Sequence, residues 1–268
     1  MAHFHFIDPY QPLESPIHHL DSRVKLVLTL GFIVTATLLP AGAWLAYGLL
    51  GAGVWLAEYL SGLGIRKVLR RSMLALPFVL AALPVVFTTP GSTWITFPIG
   101  SWSMSVRWEG IVRFLSVLIK SWLSLQAALV LVGTTSFPDL LAAMRALRVP
   151  RFLVATFGLM WRYLFLLVDE ALRMSRAREA RSTAPETAGR RVGGTMMWRA
   201  QVTGRMVGTL FLRTLERGER VYMAMIARGY DGEVRALSMP PLSQSDRVLL
   251  AVGSLFLVGV LLLGWMSW

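Results

Sequence analysis

The sequence contains no cysteine, which excludes disulfides, thiolate metal sites and a cysteine nucleophile. Charge is scarce as well: 16% of the 268 residues are charged and 55% are hydrophobic, a balance that soluble domains rarely show. Lysine occurs only as Lys25, Lys67 and Lys120. None of them follows glycine in a phosphate-loop pattern, so any ATP-driven work draws on energy from elsewhere. Acids are outnumbered 15 to 27, giving a net charge of +12. In a membrane protein that excess marks cytoplasmic loops rather than a nucleic-acid surface. The interleaving of acids with bases and the lack of an aromatic–basic groove also argue against nucleic acid as a partner. Asp8, Glu14 and four histidines precede the first apolar run, so the start does not read as a cleavable signal peptide.

What is present is long apolar sequence. No charge occurs between Lys25 and Glu58, a run of roughly 48 Å as one helix at ~1.5 Å per residue, well beyond a ~30 Å bilayer core. Pro40-Ala41-Gly42 interrupts it and predicts two short spans joined by a tight turn. Met73 to Thr88 reads as a third span, its Pro77 and Pro84 tolerated where neighbouring helices satisfy the freed carbonyls. Residues 89–108, with Pro90, Gly91, Pro98, Gly100 and the interleaved Trp94, Trp102 and Trp108, read as an external loop at the membrane interface. A fourth span covers about Phe114 to Gly133. Phe137-Pro138-Asp139 opens a short amphipathic helix that ends at Val149-Pro150. The last span runs from Val248 to Trp268.

The basic clusters set the orientation. Arg23 with Lys25, Arg66 through Arg71, and Arg145 with Arg148 mark the cytoplasmic side, which places the N-terminus inside and the C-terminus outside a five-span chain. Residues 151–168 are apolar apart from Arg162 but stop at Asp169-Glu170, short for a span. Crossing there would put the most arginine-rich stretch outside, so the expectation is a helix lying against the cytoplasmic end of the bundle. The expected class is therefore an all-α polytopic membrane helix bundle of about five transmembrane helices with cytoplasmic amphipathic helices. Its divisions are a leader at 1–22, the bundle at 23–135, a cytoplasmic and interfacial coupling region at 136–246, and the last helix at 247–268.

The coupling region holds two near-copies of one triplet, Ala180-Arg181-Ser182 and Ala227-Arg228-Gly229. Mixed charges around them predict salt-bridged helical faces rather than a disordered tail. Val207, Leu210, Phe211, Thr214, Gly218, Val221, Tyr222 and Met225 recur at three- and four-residue spacing, an amphipathic helix. Gly229 is placed to cap it in the left-handed conformation. An arginine in a last helical turn ordinarily complements the helix dipole. Two arginines, each between alanine and a small residue, suggest instead exposed helix ends entering grooves, where a guanidinium makes bidentate contacts. A partner offering the same groove twice, as a symmetric dimer does, would take both.

These triplets, together with Glu216-Arg217-Gly218-Glu219-Arg220-Val221-Tyr222-Met223-Ala224-Met225, Gly229-Tyr230-Asp231-Gly232 and the entry segment His19-Leu20-Asp21-Ser22-Arg23-Val24-Lys25, resemble the T component of energy-coupling factor (ECF) transporters, closest to the CbiQ type from cobalt importers. The resemblance covers nearly the whole chain. It implies a non-catalytic scaffold in the cell membrane of a bacterium or archaeon. Ala180, Arg181, Ser182, Ala227, Arg228 and Gly229 would dock into two ABC-type, CbiO-like ATPase subunits, and the long helices would carry their closing to a membrane-embedded, CbiM-like substrate-binding subunit, sometimes with a small CbiN-like companion. The first triplet ends in serine and the second in glycine, so the two docks need not be equivalent. The resemblance implies cobalt as substrate, with nickel or a vitamin as the alternatives.

A membrane-embedded enzyme is the rival of a different class. Such enzymes need carboxylates, histidines or metal ligands within the bundle, and the spans offer little beyond Glu58 and Lys120. Glu58 reads as a structural group snorkelling from a span end. Lys120, about two turns into span four, reads as snorkelling or pairing within the bundle. The spacing of His3, His5, His18 and His19 fits no compact metal site, and Met196, Met197, Met206, Met223 and Met225 read as packing. No cofactor and no resident metal is expected.

Overall fold

A computed structural model of the chain describes residues 10–73, 77, 81–89, 93–99, 102–182, 195–231 and 240–266; the side chains of 93–106 and of residue 182 lie outside that description. The helices are α1 (Ser22–Leu38), α2 (Trp44–Ser61), α3 (Ile65–Ser72), α4 (Val85–Thr88), α5 (Trp108–Thr134), α6 (Phe137–Ala146), α7 (Arg151–Ser182), α8 (Met196–Ala227) and α9 (Gln244–Met266). Two strands, β1 (Thr93–Ile99) and β2 (Trp102–Arg107), form an antiparallel hairpin. The chain divides into two compact units, residues 1–147 with 239–268, and residues 148–238.

The first unit is the helix bundle. Its core is the seam of α1, α2, α5 and α9, built from Phe32, Ala36, Leu50, Val54, Leu123, Ala127, Leu257 and Val260. Helices α5 and α9 are long and apolar enough to cross a membrane. At 17 and 18 residues, α1 and α2 sit at the short end of the membrane-spanning range. Helix directions follow from close contacts. Lys25 at the start of α1 reaches the Thr134 carbonyl at the end of α5, and Lys120 reaches the Leu39 carbonyl at the other end, so α1 and α5 are antiparallel. Leu28 fills the space beside Gly253, Leu257 that beside Gly31 and Leu39 that beside Gly264, so α1 and α9 are parallel. At their common start Arg23 Nη2 donates to the Pro240 carbonyl at 2.6 Å. A Cβ at 253 would meet Leu28 Cδ2 at 2.6 Å, so glycine there lets the leucine keep this position.

The α1–α2 turn, expected at Pro40-Ala41-Gly42, is there, with Gly42 at φ +91°. A polar clasp seats it on α5. Lys120 Nζ donates to the carbonyls of Thr37 and Leu39, the Gly42 N–H donates to Ser116 Oγ, and the Tyr47 hydroxyl donates to the Pro40 carbonyl. The Lys120 ammonium also lies 5.8 Å from the Tyr47 ring centroid. Lys120 therefore pairs within the bundle, one of the two roles expected of it.

The structure adds detail to two expectations and corrects a third. Within the expected loop at residues 89–108, β1 pairs with β2, Phe97 opposite Met104 and Ile99 opposite Trp102, and β2 runs straight into α5. The positions of the Trp94 and Trp102 side chains lie outside the described residues. Of the expected third span, residues 74–76 and 78–80 lie outside the described residues, while residues 81–84 form a turn and α4 is a single turn of helix that starts after Pro84. Glu58 does not snorkel. It is 1% exposed, on the same buried face of α2 as Leu50, Val54 and Ser61, and its Oε1 has no hydrogen-bond partner.

In the second unit α7 and α8 are both 32 residues long. Most of α7 is long and apolar enough to cross a membrane, although its last third carries the charges from Asp169 onward. Arg213 Nη1 meets Glu170 Oε1 at 2.7 Å and Arg178 Nη1 donates to Thr203 Oγ1 at 3.4 Å, so α7 and α8 are antiparallel.

Candidate coupling site

Both triplets lie at helix ends, as their sequence suggests. Ala180, Arg181 and Ser182 form the last turn of α7. Ala227 is the last residue of α8 and Arg228 its C-cap. Gly229 adopts φ +78°, and the chain closes as a Schellman motif: the Gly229 N–H donates to Ile226 O at 2.9 Å and the Tyr230 N–H to Met225 O at 3.0 Å. A residue with a Cβ resists this left-handed position, so glycine there fixes the direction in which the chain leaves the helix and keeps Arg228 at its tip.

Ala180, Arg181, Ala227, Arg228 and Gly229 are all exposed. Neither guanidinium has a hydrogen-bond or ion-pair partner among the described residues, while Arg173 and Arg213, on the shafts of the same helices, both bind Glu170. The structure does not bring the two triplets together. The pairing of residues 170 with 213 and 178 with 203 puts Arg181 level with about residue 201 of α8. Arg228 lies about 27 residues further along, on the order of 40 Å away at ~1.5 Å per residue. The hairpin thus carries one unpaired arginine near each of its ends.

The amphipathic stripe of α8 is real but wider than one contact. Leu210, Thr214, Val221 and Met225 are half-buried, whereas Val207, Phe211 and Tyr222 are 60%, 61% and 55% exposed, with Leu215 beside them. Sequence periodicity marks apolar positions and does not say which part of a broad stripe finds a partner within the chain.

The histidine leader forms a local structure. The ring of His18 lies 2.6 Å from Ser15 Oγ and 3.0 Å from the Gln11 carbonyl, an arrangement that suits the tautomer protonated at Nε2. Both ring nitrogens are thereby occupied. His3 and His5 lie outside the described residues. Sequence reasoning missed the Lys120–Tyr47–Ser116 clasp as a unit, because Tyr47 on α2 lies some seventy residues before Ser116 and Lys120 on α5 and nothing local links the two helices.

Comparison with known proteins agrees with this architecture. The family profile CbiQ, described as "Cobalt transport protein", matches residues 14–239. The "Energy-coupling factor transporter transmembrane protein EcfT" of Heliobacterium modesticaldum is 27% identical, over 93% of this chain and 94% of its own. A "Putative fused cobalt transport protein CbiMQ" of Methanocorpusculum labreanum is 25% identical over 82% of this chain, which spans 36% of that longer protein. The "Nickel permease LarQ" of Lactiplantibacillus plantarum is 30% identical over 50% of this chain and 49% of its own. With apolar helices long enough to cross a bilayer and a family match over most of its length, this chain is a multi-pass membrane protein belonging to the CbiQ family, the T components of ECF transporters.

Proposed function

We propose that the chain couples ATP hydrolysis by two associated ATPase subunits to uptake through a membrane-embedded substrate-binding subunit, itself catalysing nothing, and that cobalt is the substrate. The observation that carries the reading is the placement of Arg181 and Arg228: two exposed, unpaired guanidinium groups, each flanked by small residues, near opposite ends of one antiparallel hairpin. A separation on the order of 40 Å suits two grooves on two subunits better than two contacts within one site. In the fused CbiMQ protein, M and Q parts share one chain, which supports a CbiM-like partner here. The nickel permease LarQ supports nickel as the second reading.

Orientation follows the same line. The end of α5 and the start of α9 both lie beside the start of α1, so residues 135–243 leave and return on one face of the bundle. Such a segment crosses the bilayer an even number of times. Helix α8 is not among the described helices long and apolar enough to cross a membrane, which supports reading residues 151–168 as a helix that does not cross despite its apolar sequence. The basic residues assign that face to the cytoplasm.

The test expresses the chain with its neighbouring subunits and compares wild type with Arg181→Ala, Arg228→Ala and the double variant. Each single change should weaken ATPase co-purification and metal uptake, and the double change should abolish both. Arg→Lys should restore only part, because an ammonium lacks the planar fork. A double variant that keeps its ATPases and its uptake rejects the coupling role. Nickel uptake with no cobalt uptake by the wild type replaces the substrate.

A further inference from the structure

The basic helix α3 has two unlike faces. Val68 and Ser72 are buried, and the Trp122 indole of α5 donates to Ser72 Oγ at 2.9 Å. Arg66, Lys67, Arg70 and Arg71 are exposed, and none of them has a carboxylate partner among the described residues. Lys67 and Arg71, one turn apart, stand over a narrow cleft against Leu129 and Gly133 of α5.

The height of this face in the membrane follows from its contacts. Gly62 and Gly64, at φ +68° and +84°, turn the chain back at the end of α2. Leu63 then packs on Gly133 so closely that a Cβ there would meet its Cδ1 at 2.8 Å, and Ser72 sits beside Trp122. Helix α3 therefore climbs back along the last three turns of α5 instead of leaving into water. Helix α5 has 27 residues, on the order of 40 Å, against a hydrocarbon core of ~30 Å. With Trp108 at the opposite surface, the apolar core ends about twenty residues on, near Ala128, and α3 lies across that boundary. Acyl chains offer four cations at that depth nothing to bind, whereas headgroup phosphates offer charge and acceptor oxygens. An acidic protein surface would have to enter the headgroup layer to reach them.

We propose that the exposed face of α3 is a binding site for anionic phospholipid, the headgroup phosphates held by Lys67 and Arg71 over the cleft and by Arg66 and Arg70 beside it. The site rests on membrane insertion alone and does not depend on the ATPase reading.

The test places the purified full-length chain in phosphatidylcholine bilayers and measures by spin-label spectroscopy the protein-restricted fraction of labelled phosphatidylglycerol and of labelled phosphatidylcholine. Attraction to one well-placed cation corresponds to about a fivefold preference, so the wild type should prefer phosphatidylglycerol by at least that factor, less at high salt. Changing all four cations to glutamine should bring the ratio to about one. Since that change can also disturb insertion, Arg66→Gln/Arg70→Gln and Lys67→Gln/Arg71→Gln are measured too and should give intermediate ratios with unchanged helical circular dichroism. A wild-type ratio of one, or a ratio that all three variants leave unchanged, overturns the proposal. No partner protein is present, so none can produce the preference.

Discussion

Replacing Gly229 by alanine separates the geometry of the second helix end from its charge. The residue sits at φ +78° with open space around a would-be Cβ, so no collision contributes and the whole effect is conformational. Holding an L-residue in the left-handed region costs about 1–2 kcal/mol. Two backbone hydrogen bonds, Gly229 N–H to Ile226 O and Tyr230 N–H to Met225 O, depend on that conformation. The last turn of α8 has no buried residue to hold it, so the cost falls on local opening rather than on global stability. At 1.36 kcal/mol per factor of ten, the open form of the cap rises about 5- to 30-fold. Amide exchange at Gly229 and Tyr230 should accelerate by that factor, while exchange in the middle of α8 stays as it was. If Arg228 docks only from the closed cap, ATPase affinity falls by up to the same factor. Gly229→Asn, which tolerates the left-handed region, should recover most of it. Accelerated exchange with undiminished ATPase binding would refute the claim that the cap presents Arg228, and unchanged exchange in the alanine variant would refute the conformational argument itself.

Three further outcomes are expected. Lys120→Met removes the donor to the Thr37 and Leu39 carbonyls and the cation over Tyr47, and the relief of an ammonium withdrawn from water offsets only part of this. The bundle should lose about 1–3 kcal/mol, seen as a lower Tm in detergent, and an unchanged Tm would mean the clasp contributes nothing. Burial holds the His18 imidazole below its ordinary pKa, helped by the nearby Lys25 ammonium and opposed by the Gln11 carbonyl. The unfolded chain therefore takes up a proton at higher pH than the folded one. Stability should be full above about pH 6.5 and decline as pH falls below it, and His18→Gln should remove this component of the Tm–pH profile. Reporter fusions at residue 190 and at the C-terminus should read cytoplasmic and external respectively, and a cytoplasmic signal at the C-terminus would overturn the orientation.

Much of the site was legible in the sequence because it is local. The Ala-Arg-small triplets, the arginine-rich mixture of charges and Gly229 placed after an amphipathic run each report helix ends and a left-handed cap that depend on a few neighbouring residues. The long uncharged run and the basic clusters likewise report membrane helices, since a bilayer reads hydropathy and charge residue by residue. The hairpin was equally local and went unread: Trp102, Met104 and Val106 alternate with Ser103 and Ser105 after the Gly100-Ser101 pair, a period-two pattern with a two-residue turn.

What the tertiary structure decided involves residues far apart in the chain. Sequence placed Glu58 near a span end but could not tell that its helix turns that face inward beside Leu50, Val54 and Ser61. Lys120 had no partner until α1 brought its C-terminal carbonyls alongside. The parallel course of α1 and α9 rests on leucine side chains seated against glycines more than two hundred residues away, a register that no local pattern encodes. The same holds for the two arginines. Their shared wording made them look like a pair, and the antiparallel packing of α7 on α8 set them near opposite ends of the hairpin. Local sequence fixes what a helix end can bind, but the distance between two ends is a property of how the helices pack.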